Sequence, residues 1–281
     1  MSLSTVLYLF LAHLGVGIAI TLVFVSREAG VKFFRFNAGL AAILLVIALA
    51  FFPNEVKRPL SPGLGTLSIG VDAFSLWGLV TSTAAIAIYW ATVGRTLASI
   101  RPLLVSIAVG AGLIAIVAQA FVAVSGQGLA LVAMTIASFL SSAALLGGAC
   151  TAMILGHWYL VIPSMQVSHL QSIVKLHMAS MAVRVAVVVA AVVLALATSV
   201  TAAPGLGPSF RHYITSIAGI FFWQRVLFGL FGPAVLSYLT WETAKIRSTQ
   251  SATGILYVDF FTVVVGEVLA KYILLATRVP V

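Results

Sequence analysis

Charge is scarce in this 281-residue sequence. Only 7% of the residues are charged, whereas a soluble domain usually carries about a quarter. Apolar residues make up 62% of the chain, and a water-soluble fold could not cover that much apolar side chain with polar surface. Lipid is the solvent that makes this composition favourable, so the sequence predicts an integral membrane protein.

Cysteine is almost absent, since Cys150 is the only one. A single thiol excludes a disulfide relay, a cysteine-rich zinc site and an iron–sulfur cluster ligated by this chain alone. The sequence also lacks the phosphate-binding loop, the Asp-rich repeat, His-Glu-x-x-His and Gly-x-Ser-x-Gly. No metal site is expected, and any redox chemistry needs a bound cofactor or another subunit.

Positive charge is in surplus, with 15 Lys and Arg residues and a net charge of +9. No basic stretch is interleaved with aromatic residues on a polar background, so nucleic-acid binding is not expected. The basic residues lie mostly at the ends of apolar runs, a distribution typical of membrane topology and contact with lipid headgroups.

Apolar runs separated by polar residues predict an all-α, polytopic bundle of about eight transmembrane helices. The whole chain, residues 1–281, is expected to form a single integral membrane domain, with the first run retained as a helix rather than cleaved as a signal peptide. The predicted spans are Leu3–Val25, Asn37–Phe52, Ala73–Val93, Pro102–Val124, Leu129–Leu155, Ile173–Thr198, Thr215–Thr240 and Gly254–Ala276. The second helix is expected to begin earlier, with Lys32 and Arg35 reaching back to the interface. Two stretches rich in Pro and Gly, Pro53–Asp72 and Thr201–His212, are expected to be irregular loops.

The basic residues also predict the orientation of the bundle. The odd-numbered loops hold Arg27, Lys32, Arg35, Arg95, Arg101, Lys245 and Arg247. The even-numbered loops and the C-terminal tail hold Lys57, Arg58, Arg211 and Arg278. The positive-inside rule places the odd loops in the cytoplasm and both termini outward, in a cell inner membrane that the chain crosses several times.

Five polar residues are predicted to lie in the outer half of the bundle: His13, Arg225 and Glu267 at similar depth, Gln119 nearer the surface and Arg184 somewhat deeper. Ionisable groups inside a membrane usually face the bundle interior and pair, so we expect Arg225 to pair with Glu267. His13 and Arg184 are expected to share the same polar cavity, with Glu267 and His13 as candidate catalytic, proton-handling groups. Interhelical pairs that only hold the bundle together are the alternative interpretation.

A second concentration of polar and aromatic residues closes the fifth span, in the segment 156–163. His157 lies beside Trp158 and Tyr159, and together they could hydrogen-bond and flank the head of a quinone. Aromatic residues anchoring the helix at the membrane interface would give the same pattern. His157 and His177, on consecutive helices, are also the one plausible pair of ligands for haem b.

The last predicted helix resembles that of membrane anchor subunits of the DMSO reductase and polysulfide reductase type. The similarity covers ten residues, Gly266–Leu275, with Gly-Glu followed by a small residue, a basic residue and an aromatic-apolar stretch. It implies a subunit that binds and oxidises a quinol and passes electrons to an iron–sulfur subunit and on to a molybdopterin subunit. Glu267 and Lys271 match the acidic and basic residues of that pattern. Lys271 alone could also snorkel to the interface.

Three functions remain open from the sequence. The first is a quinone-interacting membrane anchor of a respiratory oxidoreductase, non-catalytic or quinol-oxidising, with an iron–sulfur or cytochrome partner subunit. The second is a self-contained electron-transfer protein that binds haem b. The third is a transporter of protons or a small solute. A purely structural subunit would leave turnover unchanged when Glu267 is replaced.

Overall fold

The computed structural model describes residues 2–53, 65–95, 98–161, 166–197 and 207–281. The long helices are α1 (Leu3–Thr21), α2 (Gly30–Ala50), α3 (Gly65–Thr92), α4 (Arg101–Ala123), α5 (Leu129–Val161), α6 (Val167–Ala197) and α10 (Thr249–Thr277). Between α6 and α10 lie the shorter α7 (Gly207–Thr215), α8 (Ile220–Val226) and α9 (Gly232–Lys245). Eight spans within these ranges are long and apolar enough to cross a membrane, which confirms the predicted bundle and identifies a multi-pass membrane protein in contact with lipid.

Helix α1 lies at the centre of the bundle, where it packs against α2, α4, α5 and α10. Its approach to α5 depends on glycine. A Cβ atom added to Gly147 would lie 2.1 Å from the backbone of Gly17, so any larger residue would push the two helices apart. Small residues are the usual means of close helix packing in lipid, where no hydrophobic effect drives helices together.

The seventh span is not a continuous α-helix. Helix α8 passes into a π-helical segment, Leu227–Phe231, before α9 begins. Pro233 lies in the first turn of α9, and its ring removes one backbone donor from the helical ladder. Such a change in the hydrogen-bond register marks a local irregularity of the kind that is frequent at functional sites.

Several helices extend beyond the predicted apolar runs. Helix α2 begins at Gly30, earlier than Asn37 as expected, whereas α6 begins at Val167, six residues before the predicted start at Ile173, so His169 lies in a helix and not in the preceding connection. The prediction was wrong there because an apolar run marks the part of a helix that lies in lipid, not its ends.

The two stretches predicted to be loops are partly helical. Helix α3 begins at Gly65, and α7 contains His212 within a range predicted to be irregular. Pro208 at the second position of α7 is compatible with a first helical turn, which explains how a segment rich in Pro and Gly starts a helix. The remainder of these predicted loops, residues 54–64 and 201–206, lies outside the described residues.

The predicted orientation can be tested by cysteine labelling in a Cys150→Ala background, since Cys150 itself is buried. Ile246→Cys, in the exposed connection between α9 and α10, should react with an impermeant maleimide only from the cytoplasmic side. Gln127→Cys, in the connection between α4 and α5, should react only from outside. The reverse pattern would invert the predicted topology.

Candidate functional site

Glu267 of α10 is fully buried and is the centre of a charged cluster. Its Oε1 atom accepts hydrogen bonds from Arg184 Nε and Arg225 Nη2, each at 2.9 Å. Its Oε2 atom accepts from Arg184 Nη2 at 3.1 Å and from Ser142 Oγ at 2.5 Å. The predicted Arg225–Glu267 pair is therefore present, and Arg184 of α6 makes a bidentate contact with the same carboxylate.

Lys271, one helical turn after Glu267, points into the same cluster. Its Nζ atom donates to Ser142 Oγ at 2.7 Å and lies 3.6 Å from Glu267 Oε2. The ammonium also lies 5.0 Å from the centre of the Phe139 ring, within the range of a cation–π contact. Lys271 is only 1% exposed, so it does not snorkel: the carboxylate, the hydroxyl and the ring provide its partners inside the bundle.

Arg184 connects three parts of the chain. Besides its contacts with Glu267, its Nη1 atom donates to both the hydroxyl and the carbonyl of Ser138, at 2.8 and 3.2 Å. Its Nη2 atom donates to the carbonyl oxygen of Val281 at 3.3 Å. The chain reverses at Arg278, whose φ is +62°, and this turn buries Val279 and Val281 in the bundle beside the cluster.

Arg225 reaches Glu267 from the seventh span because two helices approach closely. A Cβ atom on Gly266 would lie 2.2 Å from the Cα of Gly229. The π-helical segment also offers the carbonyl of Gly229 to Arg225 Nη1 at 2.6 Å. The irregular turn thus positions a buried guanidinium whose Nε has no hydrogen-bond partner among the described residues.

Positive charge exceeds negative charge in this cluster. Three fully or almost fully buried cationic side chains, Arg184, Arg225 and Lys271, surround the single carboxylate of Glu267, a surplus of two positive charges. Charges interact far more strongly in the low-dielectric interior than in water. Such an arrangement stabilises a ligand or reaction step that brings negative charge to this place.

His13 joins the cluster through Ser142, because its Nδ1 atom lies 3.4 Å from the serine hydroxyl. The imidazole is fully buried and packs edge-on against Phe139, with 4.7 Å between ring centres. Gln119 lies one step further out and donates from Nε2 to the hydroxyl of Tyr8 at 2.9 Å. Four of the five predicted outer-half residues are therefore brought together, Arg184, Arg225 and Glu267 directly and His13 through Ser142, whereas Gln119 contacts Tyr8 and not the cluster.

The aromatic segment at the end of α5 lies away from the charged cluster. His157 is exposed and its Nδ1 atom lies 3.0 Å from the hydroxyl of Tyr257. Trp158 packs edge-on against Phe33. The hydroxyl of Tyr159 donates to the carbonyl of Gln166, a hydrogen bond that links the end of α5 to the residue before α6. This segment follows Ser142 by about 15 residues, or roughly 22 Å of helix, so it does not share the charged cluster.

His177 and Asp259 form a second buried pair, on the same two helices that carry Arg184 and Glu267. The distance between His177 Nε2 and Asp259 Oδ2 is 2.6 Å, and both side chains are fully buried. This pair lies about 10–12 Å along the helix axes from the charged cluster. The two histidines considered as haem ligands thus have different partners, Tyr257 for His157 and Asp259 for His177.

Two contributions to the site were not predicted from the sequence. Ser138 and Ser142 supply hydroxyls to the buried charges, and Asp259 has a partner on α6. A run of small polar residues inside the fifth span was the available signal, since serine is enriched where transmembrane helices pack and hydrogen-bond.

No protein-family model matches the chain, and no curated protein matches it in sequence.

Removal of the central carboxylate should strongly destabilise the bundle. We expect Glu267→Ala to cost about 3–5 kcal/mol, because three buried cations lose their counter-charge. The matched control is Glu242→Ala, which breaks the exposed pair between Glu242 and Lys245 and should cost less than about 1 kcal/mol. Unfolding in mixed detergent micelles measures the free energy of unfolding of both variants. An equal loss in the two would contradict the central role of Glu267 in the charged cluster.

The close approach of α10 to the π-helical segment gives another test. Gly266→Ala should separate the helices and weaken the Arg225–Glu267 contact, because the added methyl group has no space. Gly254→Ala, on the same helix with open space around it, is the control and should have little effect. Thermal unfolding of the two variants compares them, and an unchanged Gly266→Ala protein would refute the packing argument.

Proposed function

We propose that this chain is a quinone- and quinol-interacting membrane subunit of a respiratory oxidoreductase, with Glu267 as the group that accepts protons. The observation that supports this proposal is the buried cluster in which three cations surround one carboxylate. The proposal places the protein in an inner membrane, with an iron–sulfur or cytochrome subunit as the electron acceptor.

The chemistry of quinol oxidation matches this set of side chains. A quinol gives up two electrons and two protons, so its oxidation needs a proton acceptor close to the ring hydroxyls. Loss of a proton leaves negative charge on a ring oxygen, and Arg225 and Arg184 offer guanidinium groups that can stabilise it. In the free protein both guanidinium groups pair with Glu267, so the carboxylate accepts a proton only when they turn from it to the charged ring oxygen. The electrons leave to the partner subunit, since the single cysteine of this chain cannot ligate a cluster by itself.

The surface beside Arg225 suits the approach of a lipid-soluble substrate. Phe228 and Phe231 of the π-helical segment are half exposed or more, at the surface that faces lipid. On α8, Phe221 packs on Tyr272 of α10, with 5.1 Å between ring centres. We propose that the quinone head enters between α8 and α10, because aromatic side chains flank the route and an unpaired guanidinium nitrogen lies at its end.

A proton transporter is the second candidate. The His177–Asp259 pair favours it, because it adds a second buried protonatable site on the helices that carry the first. Buried acid and histidine side chains in membrane spans often belong to proton relays.

One comparison separates the two functions in the purified chain reconstituted in nanodiscs. Lipid extraction should yield quinone, and titration with a short-chain quinone should quench tryptophan fluorescence. Glu267→Gln should weaken quinone binding about tenfold or more, the loss expected for a charge-assisted hydrogen bond. Asp259→Asn changes the other buried carboxylate of α10 and should leave quinone binding unchanged.

Lys271→Met provides a second variant in case Glu267→Gln does not fold, since it removes a cation while leaving both arginine contacts in place. It should also weaken quinone binding. Absence of quinone from the wild-type protein, or equal binding by all these variants, would contradict the proposal. Proton uptake by proteoliposomes that depends on Asp259 and Glu267 alike would instead support a transporter.

A further inference from the structure

Buried polar side chains continue from the charged cluster towards the end of the bundle where α1 begins. The first link is Ser142, whose hydroxyl donates to Glu267 Oε2 at 2.5 Å. The second is His13, whose Nδ1 atom lies 3.4 Å from the same hydroxyl. All three residues are fully buried, so this part of the series is separated from bulk water by the helices around it.

The outer links are contributed by α1, α3 and α4. Gln119 Nε2 donates to the hydroxyl of Tyr8 at 2.9 Å, and this hydroxyl lies 2.8 Å from Ser75 Oγ. These three residues are at most 4% exposed. Asp72, one helical turn before Ser75, is exposed and lies in the neighbourhood of Tyr8. The series therefore ends at an acidic residue on the surface.

His13 and Gln119 are neighbours where the two halves of the series meet. His13 Nε2 and Gln119 Oε1 are both buried, and neither has a hydrogen-bond partner among the described residues. A protonated ring nitrogen can donate to an amide oxygen. A small movement of either side chain would therefore form a hydrogen bond between His13 Nε2 and Gln119 Oε1 and connect the two halves of the series. Imidazole can take up a proton at one ring nitrogen and release one from the other.

We propose that these side chains form a proton path between Glu267 and the membrane surface at Asp72. This proposal extends the proposed function and rests on it, because quinol oxidation is the source of the protons that the path carries. The two O–H bonds of the quinol break in turn. Each proton binds the carboxylate of Glu267 and leaves it before the next one follows, while the two electrons pass separately to the partner subunit and a quinone remains. Each proton then passes through Ser142 and His13 to Tyr8 and the surface.

Gln119 is a positioning residue in this path. Its amide holds the hydroxyl of Tyr8 and lies beside the ring of His13, the two groups between which the proton must move. An apolar side chain of similar size would keep the packing but lose both polar contacts. A glutamic acid at this position would restore a group able to hand a proton across.

The test follows hydrogen–deuterium exchange at the ring nitrogens of His13 in the isolated chain. The protein is labelled with nitrogen-15 histidine, reconstituted in nanodiscs and transferred to D₂O, and exchange is read by magnetic resonance. Tyr8→Phe and Gln119→Leu should each slow exchange at His13 about tenfold, the effect of losing one hydrogen-bonded link. Gln119→Glu should restore the wild-type rate.

His177 serves as the internal control, because it is equally buried but belongs to the pair with Asp259. Its exchange should be the same in every variant. Thr21→Val is the matched control variant, since it removes a buried hydroxyl that pairs with Thr151 and lies off the path. Unchanged exchange at His13 in Tyr8→Phe, or equal slowing at both histidines, would overturn the path.

Quinone titration of the same nanodiscs keeps the two proposals separate. Tyr8→Phe should bind quinone as the wild type does, because Tyr8 does not contact the charged cluster. Failure of wild-type protein to bind quinone would refute the proposed function, while the exchange rates at His13 would still decide whether the path exists.

Discussion

The requirement that buried charge be compensated determines the organisation of one half of this bundle. A carboxylate within a membrane is costly unless its oxygens are hydrogen-bonded, and Glu267 satisfies both of its oxygens with donors from α5, α6 and the seventh span. Each donor in turn needs acceptors: Arg184 uses Ser138 and the carbonyl of Val281. The position of four segments thus depends on one acidic side chain.

Close backbone packing makes these contacts geometrically possible. Ser142 has a short side chain and reaches Glu267 only because α5 and α10 are neighbours, while Gly229 and Gly266 allow the seventh span to approach. The π-helical segment contributes the carbonyl that receives Arg225. Helices in lipid gain little from burying apolar surface, so small residues and internal hydrogen bonds carry more of the association than in a soluble core.

Much of this arrangement was predictable from the sequence. Hydropathy gave the eight spans, and the depth of Arg225 and Glu267 gave their pairing, because an unpaired charge in lipid is too costly to persist. The rotation of each helix is not predictable from sequence alone, so the sequence does not decide whether Lys271 faces the cluster or snorkels, and it does not reveal the His177–Asp259 pair. Depth along a helix follows from residue count, whereas facing partners depend on three-dimensional packing.

A surplus of buried positive charge beside a carboxylate is the feature that connects this fold to its proposed chemistry. The redox-induced infrared difference spectrum of the quinone-loaded chain tests that connection most directly. A carboxyl band that shifts in D₂O and disappears in Glu267→Gln is the predicted result, because Glu267 gains a proton when the quinol is oxidised. A band that persists unchanged in Glu267→Gln would contradict the central role of this residue.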